Sequence, residues 1–225
     1  MESHLQIISG KYRGRRLALS AAARPTQNRA RIALFNMLDN VCPPTETLRV
    51  STPPKGGVIP ENEQLPPWGE SQSQSKIGDA VGGQRQVVVW DAFAGSGAFG
   101  IEFLSRGAAK SVIFTDTDAE SVKTIRRNLV GIDGNVIVKH TDANAAADQF
   151  GKIADIIFID PPYALFETGE RLVAKLSEIA RPGVVIIWEM PKNAQPKIAE
   201  NLSILRDKTY GAARFLILTN ITIHE

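Results

Sequence analysis

The sequence predicts an α/β fold: a mostly parallel sheet covered by helices on both faces, with an antiparallel strand near one edge and a small basic N-terminal extension. Three observations predict it. From Val87 onward, apolar runs of strand length alternate with helical periodicity across short connections, as in parallel strands joined by crossover helices. Two of those runs end in chemically distinctive loops: Val87-Val88-Val89-Trp90 opens into Asp91-Ala92-Phe93-Ala94-Gly95-Ser96-Gly97, and Ile156-Ile157-Phe158-Ile159 into Asp160-Pro161-Pro162-Tyr163. The last two runs have no helix between them and turn at Tyr210-Gly211, the signature of an antiparallel hairpin.

Taken in order, residues 1–44 form the basic element. Between residues 3 and 38 stand seven basic side chains (Lys11, Arg13, Arg15, Arg16, Arg24, Arg29 and Arg31) and no acidic one, while the rest of the chain holds 19 basic against 24 acidic residues. Charge so unevenly distributed is the footprint of a face that binds a polyanion. Ile7-Ile8 and Leu17-Ala18-Leu19 flank Gly10-Lys11-Tyr12-Arg13-Gly14 and predict two short strands around a turn. A helix is expected from about Gln27 to Leu38, with Thr26 as its N-cap and Ile32, Phe35 and Leu38 on one face. Residues 45–86 read as an insertion or linker. The stretch 51–86 carries five prolines, six glycines and the tract Ser71-Gln72-Ser73-Gln74-Ser75, too little apolar surface to offset the entropy of ordering it.

Residues 87–225 form the expected catalytic domain. Strands are predicted at 87–90, 111–115, 135–140, 155–159, 183–189, 203–208 and 213–220. Helices are predicted at about 98–105, 118–130, 143–149, 167–180 and 192–200. A site in such a sheet lies at the carboxyl ends of the central strands. Gly95 and Gly97 let a ligand approach the backbone closely, and the next helix offers its amino terminus. Asp116, 21 residues after Gly95 at the end of the following strand, is placed to hydrogen-bond both hydroxyls of an adenosine ribose; the other reading is a helix cap. Asp91 could hold an ammonium group, and Asp142 an adenine amine, although an Asp after a strand is also a common helix cap.

Asp160-Pro161-Pro162-Tyr163 narrows the chemistry. The exocyclic amine of a base is a poor nucleophile because its lone pair is delocalised into the ring. Hydrogen bonds from that amine to the Asp160 carboxylate and the Pro161 carbonyl favour a pyramidal nitrogen, aimed at a methyl donor for in-line displacement. The prolines stiffen the loop, and Tyr163 can stack on an extruded base. Asp160 need not be a strong base, since the amine loses its proton easily once methylated. Together, the glycine loop, the acidic residue and this motif read as a Rossmann-like class I S-adenosylmethionine (SAM)-dependent methyltransferase acting on a planar exocyclic amine, with SAM as cofactor. The closing hairpin distinguishes this sheet from the ordinary dinucleotide-binding one.

The chain resembles the RsmD-type 16S ribosomal RNA guanine-N(2) methyltransferases. The matching pieces are Ile8-Ser9-Gly10-Lys11-Tyr12-Arg13-Gly14-Arg15-Arg16-Leu17, Arg24-Pro25-Thr26, Arg29-Ala30-Arg31 with Leu34-Phe35-Asn36, Asp91 through Gly100, Ser105-Arg106-Gly107-Ala108, Asp160 through Tyr163, and Tyr210-Gly211. They span the chain except residues 45–86, and the N-terminal pieces are the more specific. The resemblance implies methylation of a guanine amine in 16S rRNA, on a partly assembled small subunit. It maps the catalytic motif onto Asp160, Pro161, Pro162 and Tyr163, and the cofactor loop onto Asp91, Phe93, Ala94, Gly95, Ser96 and Gly97. Three departures stand out, the first being the insertion of residues 51–86. Asn28 and Ile32 replace an acidic pair around Arg29 and Arg31, and Trp90 replaces a smaller aliphatic residue.

Other classes are constrained. A DNA adenine methyltransferase would use the same loop and motif but normally adds a target-recognition segment, and none is visible; the motif alone does not separate guanine from adenine. A protein-glutamine or small-molecule amine methyltransferase leaves the basic element without a purpose. A ribosome-binding module without activity would not need intact Gly95, Gly97, Asp116 and Asp160. One cysteine, Cys42, precludes an internal disulfide, and with three histidines no metal site is expected. No apolar stretch nears the ~18 residues of a membrane span, and no signal peptide is read at the N-terminus. A cytoplasmic monomer is expected.

Overall fold

The computed structural model describes residues 5–19, 28–41 and 87–221. Seven strands, β1 (Val87–Asp91), β2 (Ala109–Asp116), β3 (Asn135–His140), β4 (Ile156–Ile159), β5 (Val185–Pro191), β6 (Leu202–Tyr210) and β7 (Ala213–Asn220), form one sheet in the order β3-β2-β1-β4-β5-β7-β6. The first five are parallel, and β7 lies antiparallel between β5 and β6. The order reverses between β1 and β4, which places a crevice beside their carboxyl ends.

The helices are α1 (Asn28–Val41), α2 (Ala98–Arg106), α3 (Ala119–Leu129), α4 (Ala143–Phe150) and α5 (Phe166–Ile179). Strand alternation divides the core between the two faces of the sheet. Val89, Phe114, Phe158 and Ile187 pack with α1, α2, α3 and the N-terminal residues Leu5, Ile7 and Leu17. Trp90, Ile113, Ile157 and Trp188 pack with α4 and α5. The two central strands are apolar on both faces because helices cover both. Among the described residues, no helix is long and apolar enough to cross a membrane, and no group of His, Cys, Asp and Glu could hold a metal ion.

Three local expectations are corrected. The two N-terminal strands reduce to a single antiparallel bridge, Gln6 with Arg16, flanked by the Ile7, Gly14 and Leu17 amides on the Arg15, Ile7 and Leu5 carbonyls; beyond it the amides of Ile8 and Ser9 donate to Glu102 of α2 and that of Lys11 to the Ser105 carbonyl. In α1, Ile32 is exposed, and the buried face runs through Ala30, Leu34, Phe35 and Leu38 with Arg31 among them. The helix expected at 192–200 is absent. Residues 192–200 form turns and irregular chain after β5, since Pro196 lacks an amide hydrogen and disfavours helical geometry at Gln195. The neighbouring amides are used elsewhere: Lys192 donates to the Ala212 carbonyl and Lys197 to Glu170. The expected N-cap Thr26 and the stretch 42–86 lie outside the described residues.

Candidate active site

The glycine loop after β1 is fixed from both neighbouring strands. Ala92 donates its amide to the Phe158 carbonyl of β4 at 2.9 Å, and Ala94 donates to the Thr115 carbonyl of β2 at 3.0 Å. Trp90 contributes more than bulk: its indole N–H donates to Thr115 Oγ1 at 3.0 Å, and that hydroxyl donates to the Ala92 carbonyl at 2.8 Å. Gly95 and Gly97 take φ of 53° and 77°, left-handed values that favour residues without a Cβ. Phe93 and Gly95 are half-buried, whereas Ala94 and Ser96 are buried.

Two carboxylates brace this loop. Asp116 at the end of β2 accepts the Gly95 amide on Oδ2 at 2.7 Å and the Asp118 amide on Oδ1 at 2.8 Å. The N-cap of α3 is Asp118, not Asp116. Each Asp116 oxygen therefore keeps a lone pair for a further donor, the requirement for holding a ribose diol. Asp91 is 1% exposed, and its Oδ2 accepts the Gly100 amide in the first turn of α2 at 3.1 Å, while its Oδ1 has no hydrogen bond among the described residues. Burial pushes the Asp91 carboxyl up to about 7; the Gly100 amide opposes this, the charges of Asp160 and Asp116 add to it, and Arg31 again opposes it. A buried carboxylate with a free oxygen amid other negative groups suits a cationic partner. Asp142 caps α4, accepting the Ala145 amide at 3.0 Å.

Asp160, half-buried, follows β4 directly, and β4 lies beside β1 with Asp91 in register with Phe158. Pro161 is buried, Pro162 exposed and Tyr163 half-buried, and Tyr163 opens a 3-10 turn closed by the Leu165 amide on the Pro162 carbonyl. Below the motif, Trp188 of β5 stacks on Phe166 at 5.2 Å. A Cβ on Gly169 would come within 2.9 Å of both the Pro161 ring and the Trp188 indole nitrogen.

The basic residues separate into groups. Arg13 and Arg16 are exposed. Lys11 pairs with Asp133 at 2.6 Å, and Arg15 donates to the Asn128 and Val130 carbonyls at the end of α3. Arg31 corrects an expectation, for it does not face solvent. It is 3% exposed, donates to the Gln6 carbonyl at 3.0 Å and lies 3.6 Å from Glu102. Arg24 and the Arg29 side chain lie outside the described residues. Sequence reasoning missed Glu102, fully buried, which also accepts the Arg106 side chain at 3.0 Å. It missed Asn128 and Gly169 as well. Nothing in their local patterns marks them, because their partners lie far away in sequence.

The profile of the family described as "Conserved hypothetical protein 95" matches residues 5–51 and 75–219. Ribosomal RNA small subunit methyltransferase D of Escherichia coli K12 is 27% identical over 94% of this chain and 87% of its own length. The Haemophilus influenzae protein of that name is 26% identical over 97% of this chain and 95% of its own. Among solved structures, the E. coli protein yhhF aligns with a TM-score of 0.67 and 25% identity, covering 98% of this chain and all of the other. The sheet order, with β7 reversed next to the edge, is that of the class I methyltransferases. The chain belongs to the "Conserved hypothetical protein 95" family, that of the RsmD-type methyltransferases.

Proposed function

We propose that this enzyme methylates the exocyclic N2 amine of a guanine in 16S ribosomal RNA, using SAM and acting as a cytoplasmic monomer on a small-subunit assembly intermediate. The observation that supports this best is the adjacency of the two loops. The glycine loop leaves β1 and Asp160-Pro161-Pro162-Tyr163 leaves its neighbour β4, both at the carboxyl end of the sheet.

The residues present fit SAM: Asp116 retains acceptor capacity for the ribose hydroxyls, and Asp91 Oδ1 is open to the methionine ammonium. Phe93, Ala94, Ser96 and Gly97 form the remainder of the cradle, and Asp142 is assigned to the adenine amine. When bound, SAM supplies an electrophilic methyl group on a sulfonium. The Asp160 carboxylate and the Pro161 carbonyl accept the two amine hydrogens of the target base, which directs the nitrogen lone pair outward. Tyr163 stacks on the flipped base, and the buried Pro161 keeps its carbonyl fixed. Arg13 and Arg16, with Lys11, Arg15, Arg24 and Arg29, supply phosphate contacts that position the RNA. Arg31, buried, is left out of that set.

The test is transfer of labelled methyl from SAM to unmodified 16S RNA, to small subunits lacking the modification, and to duplex DNA, followed by nucleoside analysis. N2-methylguanosine from RNA or subunits with DNA untouched is the expected result. Methyladenine in DNA would overturn the substrate assignment and retain the mechanism.

A further inference from the structure

One buried side chain touches both the proposed RNA element and the cofactor loop. Asn128, in the last turn of α3, is 4% exposed. Its Nδ2 donates to the Ala18 carbonyl at 3.0 Å and to the Ser96 carbonyl at 2.9 Å, and its Oδ1 accepts the Ala18 amide at 2.8 Å. Both amide hydrogens and an oxygen lone pair are thus committed. Ala18 lies two residues beyond Arg16, and Ser96 lies between the two left-handed glycines. The Asn128 backbone adds a further tie, since its carbonyl accepts from Arg15 at 3.3 Å.

We infer that Asn128 is a positioning residue that couples RNA engagement by the N-terminal element to the geometry of the cofactor loop, so that RNA and SAM bind cooperatively. This rests on the RNA reading above. Neither Ala18 nor Ser96 can shift without opening a hydrogen bond to the buried Asn128 side chain. A partner that orders residues 13–18 therefore holds Asn128, and with it the Ser96 carbonyl, in place. The cofactor then meets a loop already ordered, and linkage makes the effect reciprocal. Glu102 and Ser105 also hold the N-terminal element, through Ile8, Ser9 and Tyr12, so that element stays docked when Asn128 is changed.

The test is titration of S-adenosylhomocysteine, which cannot donate a methyl, with and without saturating unmodified 16S RNA, and of RNA with and without that ligand. In the wild type each partner should tighten the other by about fivefold or more, and RNA alone should slow hydrogen exchange at the amides of Gly95 to Gly97. Asn128→Ala should still bind both with the coupling reduced to near unity. Asn128→Asp, which sets a carboxylate oxygen against two carbonyls, should lose the coupling and weaken cofactor binding further. Independent binding of the two partners by the wild type, or full coupling in folded Asn128→Ala, would overturn the inference while leaving the RNA reading intact. No RNA binding by the wild type would overturn both. The wild-type measurement needs no variant, so the inference stays exposed even where a variant fails to fold.

Discussion

Asp116 Oδ2 accepts the Gly95 amide at 2.7 Å across the gap between β2 and β1. The carboxylate assigned to the ribose is therefore also a strut of the loop that cradles the cofactor. With Oδ1 on the Asp118 amide, one side chain sets the loop after β1 and the entry to α3 together.

Asp116→Ala should raise the cofactor Kd by roughly ten- to hundredfold, as for loss of a charge-assisted hydrogen bond. Asp116→Asn should do little better, because its NH2 must face either the Gly95 or the Asp118 amide, donor against donor. Calorimetric titration decides this; an unchanged Kd would remove the ribose assignment.

Arg13 and Arg16 should behave oppositely to Arg31. Changing both exposed arginines to Ala should weaken RNA binding and flatten its salt dependence, by about 0.7–0.9 in log–log slope for each phosphate no longer neutralised. Arg31→Ala should leave that slope alone and lower stability by about 1–3 kcal/mol, since it opens the bond to the Gln6 carbonyl and removes a buried neighbour of Glu102, which keeps the Ile8 and Ser9 amides and Arg106. Denaturant melts beside binding curves at several salt concentrations separate the two effects. A fall in slope for folded Arg31→Ala would return it to the RNA face.

The contrast shows which features were legible in the sequence. Strand and helix periodicity placed the seven strands of the sheet and five of the six expected helices but overcalled the two N-terminal strands, and loop chemistry picked out the two strand ends that meet. Charge counting marked the basic element, yet it could not tell Arg31 from Arg13. Arg31 sits at helical spacing from Leu34, Phe35 and Leu38 and turns inward to a carboxylate 71 positions away. Asn128 and Gly169 were illegible for the same reason: their roles are tertiary contacts without local periodicity. The 192–200 helix failed on local chemistry that was visible, namely Pro196.

Asp91 should give stability a distinct pH dependence. Its folded value, about 7, lies above the ordinary 3.8, so between those values the folded state holds a proton that the unfolded chain has released. Its contribution to stability must then fall as pH rises through that window and stay level outside it. The full cost approaches about 4 kcal/mol above pH 7, at ~1.4 kcal/mol per pH unit. Asp91→Asn keeps an acceptor for Gly100 and cannot ionise, so it should lose this slope. Denaturation midpoints at pH 5 and pH 8 for both proteins test it; equal pH responses would mean that Asp91 is ionised throughout.

Gly169 should prove as necessary to catalysis as a loop residue, although it lies in the interior of α5. A methyl group there would meet the Pro161 ring and the Trp188 indole nitrogen at 2.9 Å, and Trp188 is held by its stack on Phe166. Pro161 is the partner left to move, and its carbonyl is the proposed second acceptor for the target amine. Overpacking of this kind costs about 1–3 kcal/mol in stability; the larger effect should be on kcat, because a small misplacement of a positioning group can cost about a hundredfold. Gly169→Ala should therefore lower kcat sharply while the cofactor Kd stays within a few-fold, for Asp91 and Asp116 end other strands and Gly95 lies in the loop after β1. Asp160→Ala should show the limit of the same behaviour, with methyl transfer abolished and cofactor affinity within a few-fold. Parallel loss of cofactor affinity in both variants would instead place Asp160-Pro161 among the groups that hold the cofactor. Unchanged kcat in Gly169→Ala would show that the motif tolerates displacement of Pro161, and would remove the Pro161 carbonyl from the mechanism.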